Sequence, residues 1–563
     1  MSVFQNSLCL YPGALKTGPI VAYLVIGLTA ALRATPPAEP TVEEIPANRE
    51  AAALVEQIEE GIPIGPSQTR QPIRLDLRDS VDQALNQNLG LAIARINPAR
   101  VREDITIADA AFDPTFTARA GINQNASPLA ASTLDGAARP LTENQIYGVG
   151  VNQRLTTGGL INLNTGINRF TTNSAFSTIN PDYTSEVSLS VRQPLLRGAG
   201  QTVNLAPLAL AKSSYQQSVL EVRRRILDTI RDTEIGYWNL SAAYALLELR
   251  ETSLRLAESL LEENKERLRL GIATRADVLQ AEADLASRRE EIITAQQTIE
   301  NNQDQLLSLL GVIQFFEDPS IDVEPLPTVD PALPAFLAVV ENALAQDLDT
   351  QIQYEVIEQR RIDRTVAKDN QRPNLDLTVG GALLGRSDDG FSSYSQAYQR
   401  EGYRWSAGLE LSVPWDLRAD RARYRQTQRS YQQASIRLAE IQQELMLRLR
   451  EAWRALAASK ERRISAQASL ELNAESFERQ RALYDAGLAS FRDVLEAQRD
   501  LDLAKLRHLQ ATYDIVRAEV QLARLDGRLL ARHGFVWEDI RMISDELPHN
   551  VIDYTSQARN TLP

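Results

Sequence analysis

LRLGIATRADVLQAEADL (residues 268–285) and YDAGLASFRDVLEAQRDL (residues 484–501) are one stretch written twice. At a constant offset of 216, Gly271 aligns with Gly487, Asp277 with Asp493, Val278 and Leu279 with Val494 and Leu495, and Leu285 with Leu501. In each copy a glycine turn separates two long helices with seven-residue periodicity. A chain that duplicates a helical hairpin of this length builds a symmetric coiled-coil object, not a catalytic pocket.

The duplication extends outward from the turns. Residues 81–121 align with 340–380 at an offset of 259, which brings Pro114 onto Pro373, and LSVRQPL (189–195) matches LELSVPW (409–415). Each repeat therefore runs helix, strands, long helix, glycine turn, long helix. The change of offset from 259 to 216 places about 43 extra residues in the strand region of the first copy. Two copies make a duplicated domain, not a solenoid of many small units.

The strand regions have a period of two. In YTSEVSLSVRQP, Val187, Leu189 and Val191 share one face while Glu186, Ser188, Ser190 and Arg192 share the other. Residues 147–155 and 161–169 alternate similarly around Thr157-Gly158-Gly159, a hairpin signal, and the second copy alternates over 374–384 and 403–413. A single helix is expected over 79–111, kinked at Pro98. Residues 205–270 carry one proline near the start and predict a helix of about 100 Å. Leu247, Leu254, Leu261 and Leu268 recur every seven residues, as do Val278, Leu285, Ile292, Ile299 and Leu306 across the turn. In the second copy the stripe reads Leu470, Phe477, Tyr484, then Val494, Leu501, His508, Ile515 and Leu522, which predicts left-handed supercoiling.

Composition excludes several function classes. The 563 residues carry a net charge of −14 with basic residues spread along helices, not the clustered basic face of a nucleic-acid binder. One cysteine (Cys9) and three histidines (His508, His533, His549) leave no disulfide framework or zinc site. No metalloprotease, phosphate-loop or nucleophile-elbow motif is present, so neither enzyme nor cofactor is expected. His508 reads as a packed residue of the helix seam. Lys16 and the apolar run Ile20–Leu32 read as an export signal, too short to be a membrane helix. The poor match around Cys9 argues against a lipid anchor there.

The expected organisation is a signal peptide (1–34), a flexible linker (35–72), a first repeat (73–310; strands 115–193, hairpin 205–310), a Pro-rich linker (311–335), a second repeat (336–531; strands 374–414, hairpin 418–531) and a tail (532–563). Strands of about 10 residues suit a tilted membrane strand. One chain supplies about four strands, or six with the extra hairpin, fewer than the usual eight of a closed barrel. An open edge in lipid leaves backbone groups unpaired at several kcal/mol each, so the barrel must be shared between chains. A trimer supplies about 12 strands, or about 18 with the extra hairpin.

With these marks the chain resembles the TolC family of trimeric outer-membrane efflux and secretion channels over about residues 73–531. GIATRADVLQA at 271, GLASFRDVLEA at 487 and SVRQPLLRG at 190–198 are the most specific matches. The resemblance implies an α+β membrane protein: a transmembrane β-barrel with shared strands, continued by a long α-helical coiled-coil barrel in the periplasm. It implies a passive exit duct of a tripartite efflux pump or type I secretion system. Its partners would be two further copies of itself, a periplasmic adaptor, an inner-membrane RND or ABC transporter, and outer-membrane lipid.

Family roles map onto matching residues. Gly271, Ile272 and Ala273, with Gly487, Leu488 and Ala489, correspond to tips that dock the adaptor. Asp493 and Glu496 correspond to carboxylates lining the aperture, where acidic rings favour cations. The plain alternative is that they are helix N-terminal carboxylates. Asp277 and Tyr484 correspond to interhelical links that hold the aperture closed. Ala489 stands where familiar members carry a basic partner, with Arg492 or Arg275 as candidate substitutes. Gln280 stands where a second acidic ring would need a carboxylate in the first copy. A periplasmic adaptor or a pore-free coiled-coil protein is the competing reading, and the strand block separates the two.

Overall fold

The computed structural model describes residues 73–126, 137, 139–312, 321–327 and 331–542. The expected signal peptide, the linker 35–72, Cys9, His549, much of 311–335 and most of the tail lie outside the described residues. So does much of the connection between the first two long strands.

The first repeat begins with strand β1 (Ile73–Leu75) and two helices, α1 (Leu77–Gln87) and α2 (Leu89–Asp109). The expected single helix breaks at Asn88, not at Pro98, which sits inside α2. The reason is local. The Asn88 side chain caps α2 by accepting from the Leu91 N–H at 2.9 Å and donates to the Leu309 carbonyl at 2.8 Å. The second repeat breaks at the matching residue: Asp347 ends α6 (Phe336–Gln346) and caps α7 (Leu348–Asp369) through the Thr350 N–H at 2.8 Å.

Four strands follow in the first repeat: β2 (Thr115–Ala126), β3 (Leu141–Arg154), β4 (Leu160–Thr172) and β5 (Asp182–Pro194). After a short helix α3 (Gln201–Asn204), α4 (Ala206–Arg269) and α5 (Arg275–Leu310) form the first long hairpin. A short strand β6 (Ile321–Val323) runs parallel to β1. The second repeat contributes β7 (Asn374–Ser387), helix α8 (Gly390–Tyr398), β8 (Gly402–Ser412) and the hairpin of α9 (Arg418–Asp485) and α10 (Phe491–Leu525), followed by α11 (Leu529–Arg532). At 1.5 Å per residue α4 and α9 are each roughly 100 Å long.

The long strands form one six-stranded antiparallel sheet in the order β2-β3-β4-β5-β7-β8. Pairing of β5 with β7, from Tyr183↔Ser387 to Pro194↔Asp376, welds the two repeats together. The 43 extra residues are thereby explained: β3 and β4 form a hairpin inserted between β2 and β5, turning at Gly158 with φ +92°. Both outer strands are open. All of β2 and all but the first residue of β8 are exposed.

Among the described residues the helices bury three apolar clusters. The largest surrounds Val222, Ile226, Ile230 and Tyr237 of α4 and gathers α1, α5 and α10. Each such fully buried aliphatic side chain contributes about 1.5–3 kcal/mol. The Tyr237 hydroxyl donates to the Leu75 carbonyl at 3.0 Å and accepts from the Glu324 N–H at 2.8 Å, fastening the β1–β6 ribbon to α4. Burial pushes this phenol up to about 12. A second cluster packs Leu445, Leu449 and Leu456 of α9 against α6 and α10. The third lies beside the turns. It joins Leu260, Leu261, Val278 and Leu285 of the first hairpin to Phe477, Tyr484, Phe491 and Val494 of the second.

Candidate functional site

Two regions are candidates for function: the helical turns and the strand band. At the turns, α4 ends when Gly271 takes φ +79°, which frees the Ile272 N–H to reach the Arg267 carbonyl at 2.8 Å and the Gly271 N–H to reach Leu268 at 2.9 Å. This is the Schellman stop, and only glycine enters that backbone region without strain. Gly487, at φ +72°, ends α9 with the same two bonds, Leu488 to Leu483 and Gly487 to Tyr484.

The restart is equally conserved between the two copies. Asp277 accepts from the N–H and hydroxyl of Thr274 at 2.9 and 2.6 Å, while Thr274 accepts from the Asp277 N–H. Asp493 does the same with Ser490 at 2.9 and 2.7 Å. Both are capping boxes. The Ser490 hydroxyl and N–H hold the Asp493 carboxyl below its usual range. Thr274 and Ser490 escaped the sequence reading, although a hydroxyl residue three before an acid is a recognised helix-start pattern.

The site residues fall as follows. Gly271, Ile272, Gly487 and Leu488 are exposed at the turns, with Ala273 and Ala489 half-buried. Glu496 is exposed one turn beyond Asp493 on the same face. Among the described residues no hydrogen bond joins Asp277 to Tyr484. Asp277 is committed to Thr274, and the buried Tyr484 hydroxyl donates to Asn264 of α4 at 2.7 Å. The cation beside Tyr484 is Arg267, not Arg492 or Arg275. Its guanidinium lies 4.1 Å over the ring, donates to the Tyr484 carbonyl and pairs with Asp485 at 2.9 Å. Burial raises the Tyr484 phenol despite Arg267. Asn264 had a sequence signal, a polar residue on a Leu260/Leu261 stripe, where such a residue fixes register.

Farther along the hairpins a buried ionic cluster ties them together. Arg288 of α5 pairs with Asp502 of α10 at 2.7 Å and with Asp284 at 3.4 Å. Ser253 of α4 donates to Asp502 at 2.8 Å, and Arg499 reaches Asp284 at 3.3 Å. The Arg288–Asp502 contact is an ion pair by distance; its N–H direction does not meet hydrogen-bond geometry. Burial pulls Arg288 down, but Asp502 and Asp284 outweigh it and hold the guanidinium above its ordinary value.

The strand band is two-sided. Strand register puts Thr117, Asn164, Ser188, Glu186, Asp182, Asp376, Arg386 and Arg404 on one face. Among the described residues that face carries the cross-strand ion pairs Asp182–Arg386, Glu186–Arg404 and Arg192–Asp376. The other face presents Phe116, Val149, Leu163, Leu189, Val379, Trp405, Leu409 and Leu411, all exposed. Trp405 and Trp415 bracket this apolar run along β8 and its flank. Ten extended residues cover about 34 Å, or about 25 Å when tilted near 45°, the height of an outer-membrane band with its aromatic girdles. No helix of the described residues is long and apolar enough to cross a membrane.

Comparison with known proteins agrees with this geometry. The family profile described as "Outer membrane efflux protein" matches residues 80–312 and 339–528. None of the curated proteins matches the chain. Among solved structures, the outer-membrane channel OprN is similar at 17% identity and a TM-score of 0.62, covering 80% of this chain and 89% of that one. The Campylobacter jejuni CmeC outer membrane channel is similar at 17% identity and a TM-score of 0.62, covering 85% and 89%. The open state of the Neisseria gonorrhoeae MtrE outer membrane channel matches at 17% identity and a TM-score of 0.57, covering 80% and 89%. An adaptor or pore-free coiled coil does not account for a two-sided six-stranded sheet, and the profile, matched over most of the chain, shows that it belongs to the outer membrane efflux protein family, whose members are channels of the outer membrane that extend into the periplasm.

Proposed function

We propose that three copies of this chain close one barrel by pairing β2 of each with β8 of the next, giving about 18 membrane strands from six per chain. The observation that carries this reading is the six-stranded sheet, polar on one face and apolar on the other, whose outer strands are both unpaired. Lipid cannot satisfy those edge N–H and C=O groups, whereas a neighbouring chain can. The long hairpins then line the periplasmic part of the duct. An inner-membrane RND or ABC transporter and a periplasmic adaptor deliver the cargo, and the channel itself is passive. The segments 1–34 and 35–72 serve as export signal and linker.

The turns are the adaptor-docking tips. Gly271, Ile272, Ala273, Gly487, Leu488 and Ala489 offer exposed backbone and apolar side chains at both hairpin ends. Nothing surrounds the position of a side chain at Gly271 or Gly487, so Gly271→Leu with Gly487→Leu meets only backbone strain of about 1–2 kcal/mol per site. The double variant should remain trimeric and lose adaptor coupling in a pull-down with the adaptor. Loss of the trimer instead would assign the turns to folding.

Asp493 and Glu496 line the aperture as acidic rings. Arg267, Tyr484, Asn264 and the Arg288 cluster hold the hairpins in register, with Asp277 bracing the first turn. Asp493→Asn retains an acceptor for Ser490 and removes the charge, so the variant tests charge without removing the cap. In Asp493→Asn/Glu496→Gln the cation-over-anion permeability ratio from reversal potentials should fall toward unity. An unchanged ratio would place both side chains away from the constriction. Mass in detergent together with planar-bilayer conductance tests the barrel itself: a non-conducting monomer would rule out the shared sheet.

A further inference from the structure

Helix α8 interrupts the β7–β8 hairpin at the end of the sheet away from the long helices, since those helices connect at Thr115, Pro194, Asn374 and Ser412. It does not stand clear of the sheet. Asp389 caps it by accepting from the Ser392 N–H at 3.0 Å, and the helix folds back over β4, β5 and β7. Ser393 and Ala397, four residues apart, are fully buried beneath it. The Ser393 hydroxyl donates to the Gly385 carbonyl at 3.1 Å and shares a hydrogen bond with the Ser185 hydroxyl at 2.8 Å, and Tyr394 meets Thr165 at 3.3 Å. Contact is so close that a Cβ at Gly385 would collide with the Ser393 carbonyl.

The face it covers is the apolar one. Gly385 has the parity of Val379 and Leu383 in β7, and Ser185 that of Val187 and Leu189 in β5. Meanwhile the helix turns Phe391 (85% exposed) and Tyr398 (69% exposed) outward, seven residues apart and thus on one side. Gln399 and Arg400 follow at its end. Beside it, one strand away, Tyr403 and Trp405 project from the same apolar face of β8.

We propose that α8 is a membrane-interface helix: it lies on the lipid-facing side of the sheet near the outer rim and places Phe391 and Tyr398 in the outer-leaflet boundary. Lipid is the occupant for three reasons. The helix is continuous with the exposed apolar face that meets the bilayer. Its seat is on the face of β4, β5 and β7, whereas a neighbouring copy pairs in the plane of the sheet at the β2 and β8 edges, so that pairing does not cover it. Its chemistry, aromatic outward with Gln399 and Arg400 at one end, is that of an element seated between acyl chains and headgroups.

The assignment rests on the reading that this sheet face meets lipid, and the test separates the two. In a Cys9→Ser background, nitroxide labels are attached at Phe391→Cys, Tyr398→Cys and, as the sheet control, Val379→Cys. The full chain is reconstituted in phosphatidylethanolamine–phosphatidylglycerol vesicles, and accessibility to oxygen is compared with that to an aqueous nickel chelate. Labels at 391 and 398 should favour oxygen, at a depth of about 5–10 Å below the headgroup boundary, with 379 deeper. Labels at 391 and 398 that favour the chelate while 379 favours oxygen would overturn the helix assignment alone. Chelate preference at all three would overturn the lipid face and the helix with it. Gly385→Val should lift the helix and reverse the preference at 391 and 398 without changing 379; no reversal would overturn the docked geometry.

Discussion

Arg288→Ala should destabilise the periplasmic hairpins by about 3–5 kcal/mol, because it strands two buried carboxylates. Asp284 and Asp502 are each only 5% exposed and face the same guanidinium from α5 and α10. Asp502 would keep Ser253, and Asp284 would keep the more exposed Arg499, so the loss is large but not total. Thermal unfolding in detergent reads the stability. The resting conductance reads the function, since the cluster ties the two hairpins of one chain together. Replacing all three groups, Asp284→Leu, Arg288→Met and Asp502→Leu, should recover most of the stability, because the apolar set has no charge to desolvate. If Arg288→Ala unfolds like the parent, the cluster is not fully buried in the assembled protein.

Glu234→Ala is the second large effect, at about 3 kcal/mol. Glu234 is fully buried in the middle of α4; His533 lies 2.9 Å away and Arg532 3.4 Å away. Truncation leaves the His533 ring buried without its partner and releases α11 from α4. Hydrogen exchange should rise at 529–540 first, with the strand amides unchanged. Protection retained over 529–540 would show that the apolar contacts of Leu529 and Leu530 hold this segment by themselves.

The architecture was legible because its signals are periodic. Seven-residue leucine stripes, alternating strands and a duplicated turn each repeat often enough to outweigh local exceptions. The break at Asn88 was missed for the opposite reason: a capping side chain is one residue deep, and the nearby Pro98 offered a stronger breaker signal that α2 absorbs. The six-strand count was undecidable from pattern alone, because whether β3 and β4 join the sheet depends on their pairing with β2 and β5. At the turns, the glycines and acids were visible, but partners were not. Arg267 precedes the first turn motif and aligns with Leu483 in the second copy, so the duplication offered no signal for it; it reaches Tyr484 only because α4 and α9 pack side by side. Helix α8 drew no expectation from the sequence, since its nine residues hold no stripe longer than one heptad.

The inserted hairpin also obeys a counting rule. The chain enters the sheet from a helix at Thr115 and must leave it at Pro194 on the same side to begin the next helix. Each strand carries the chain across once, so the number of strands between two helices has to be even. A single added strand would deliver α4 to the wrong end of the sheet, whereas an added pair leaves both connections and both outer strands where they were. The sheet can therefore widen from its interior two strands at a time, and in the proposed trimer the bore at the outer membrane is free to vary while the helical tube beneath it keeps its girth.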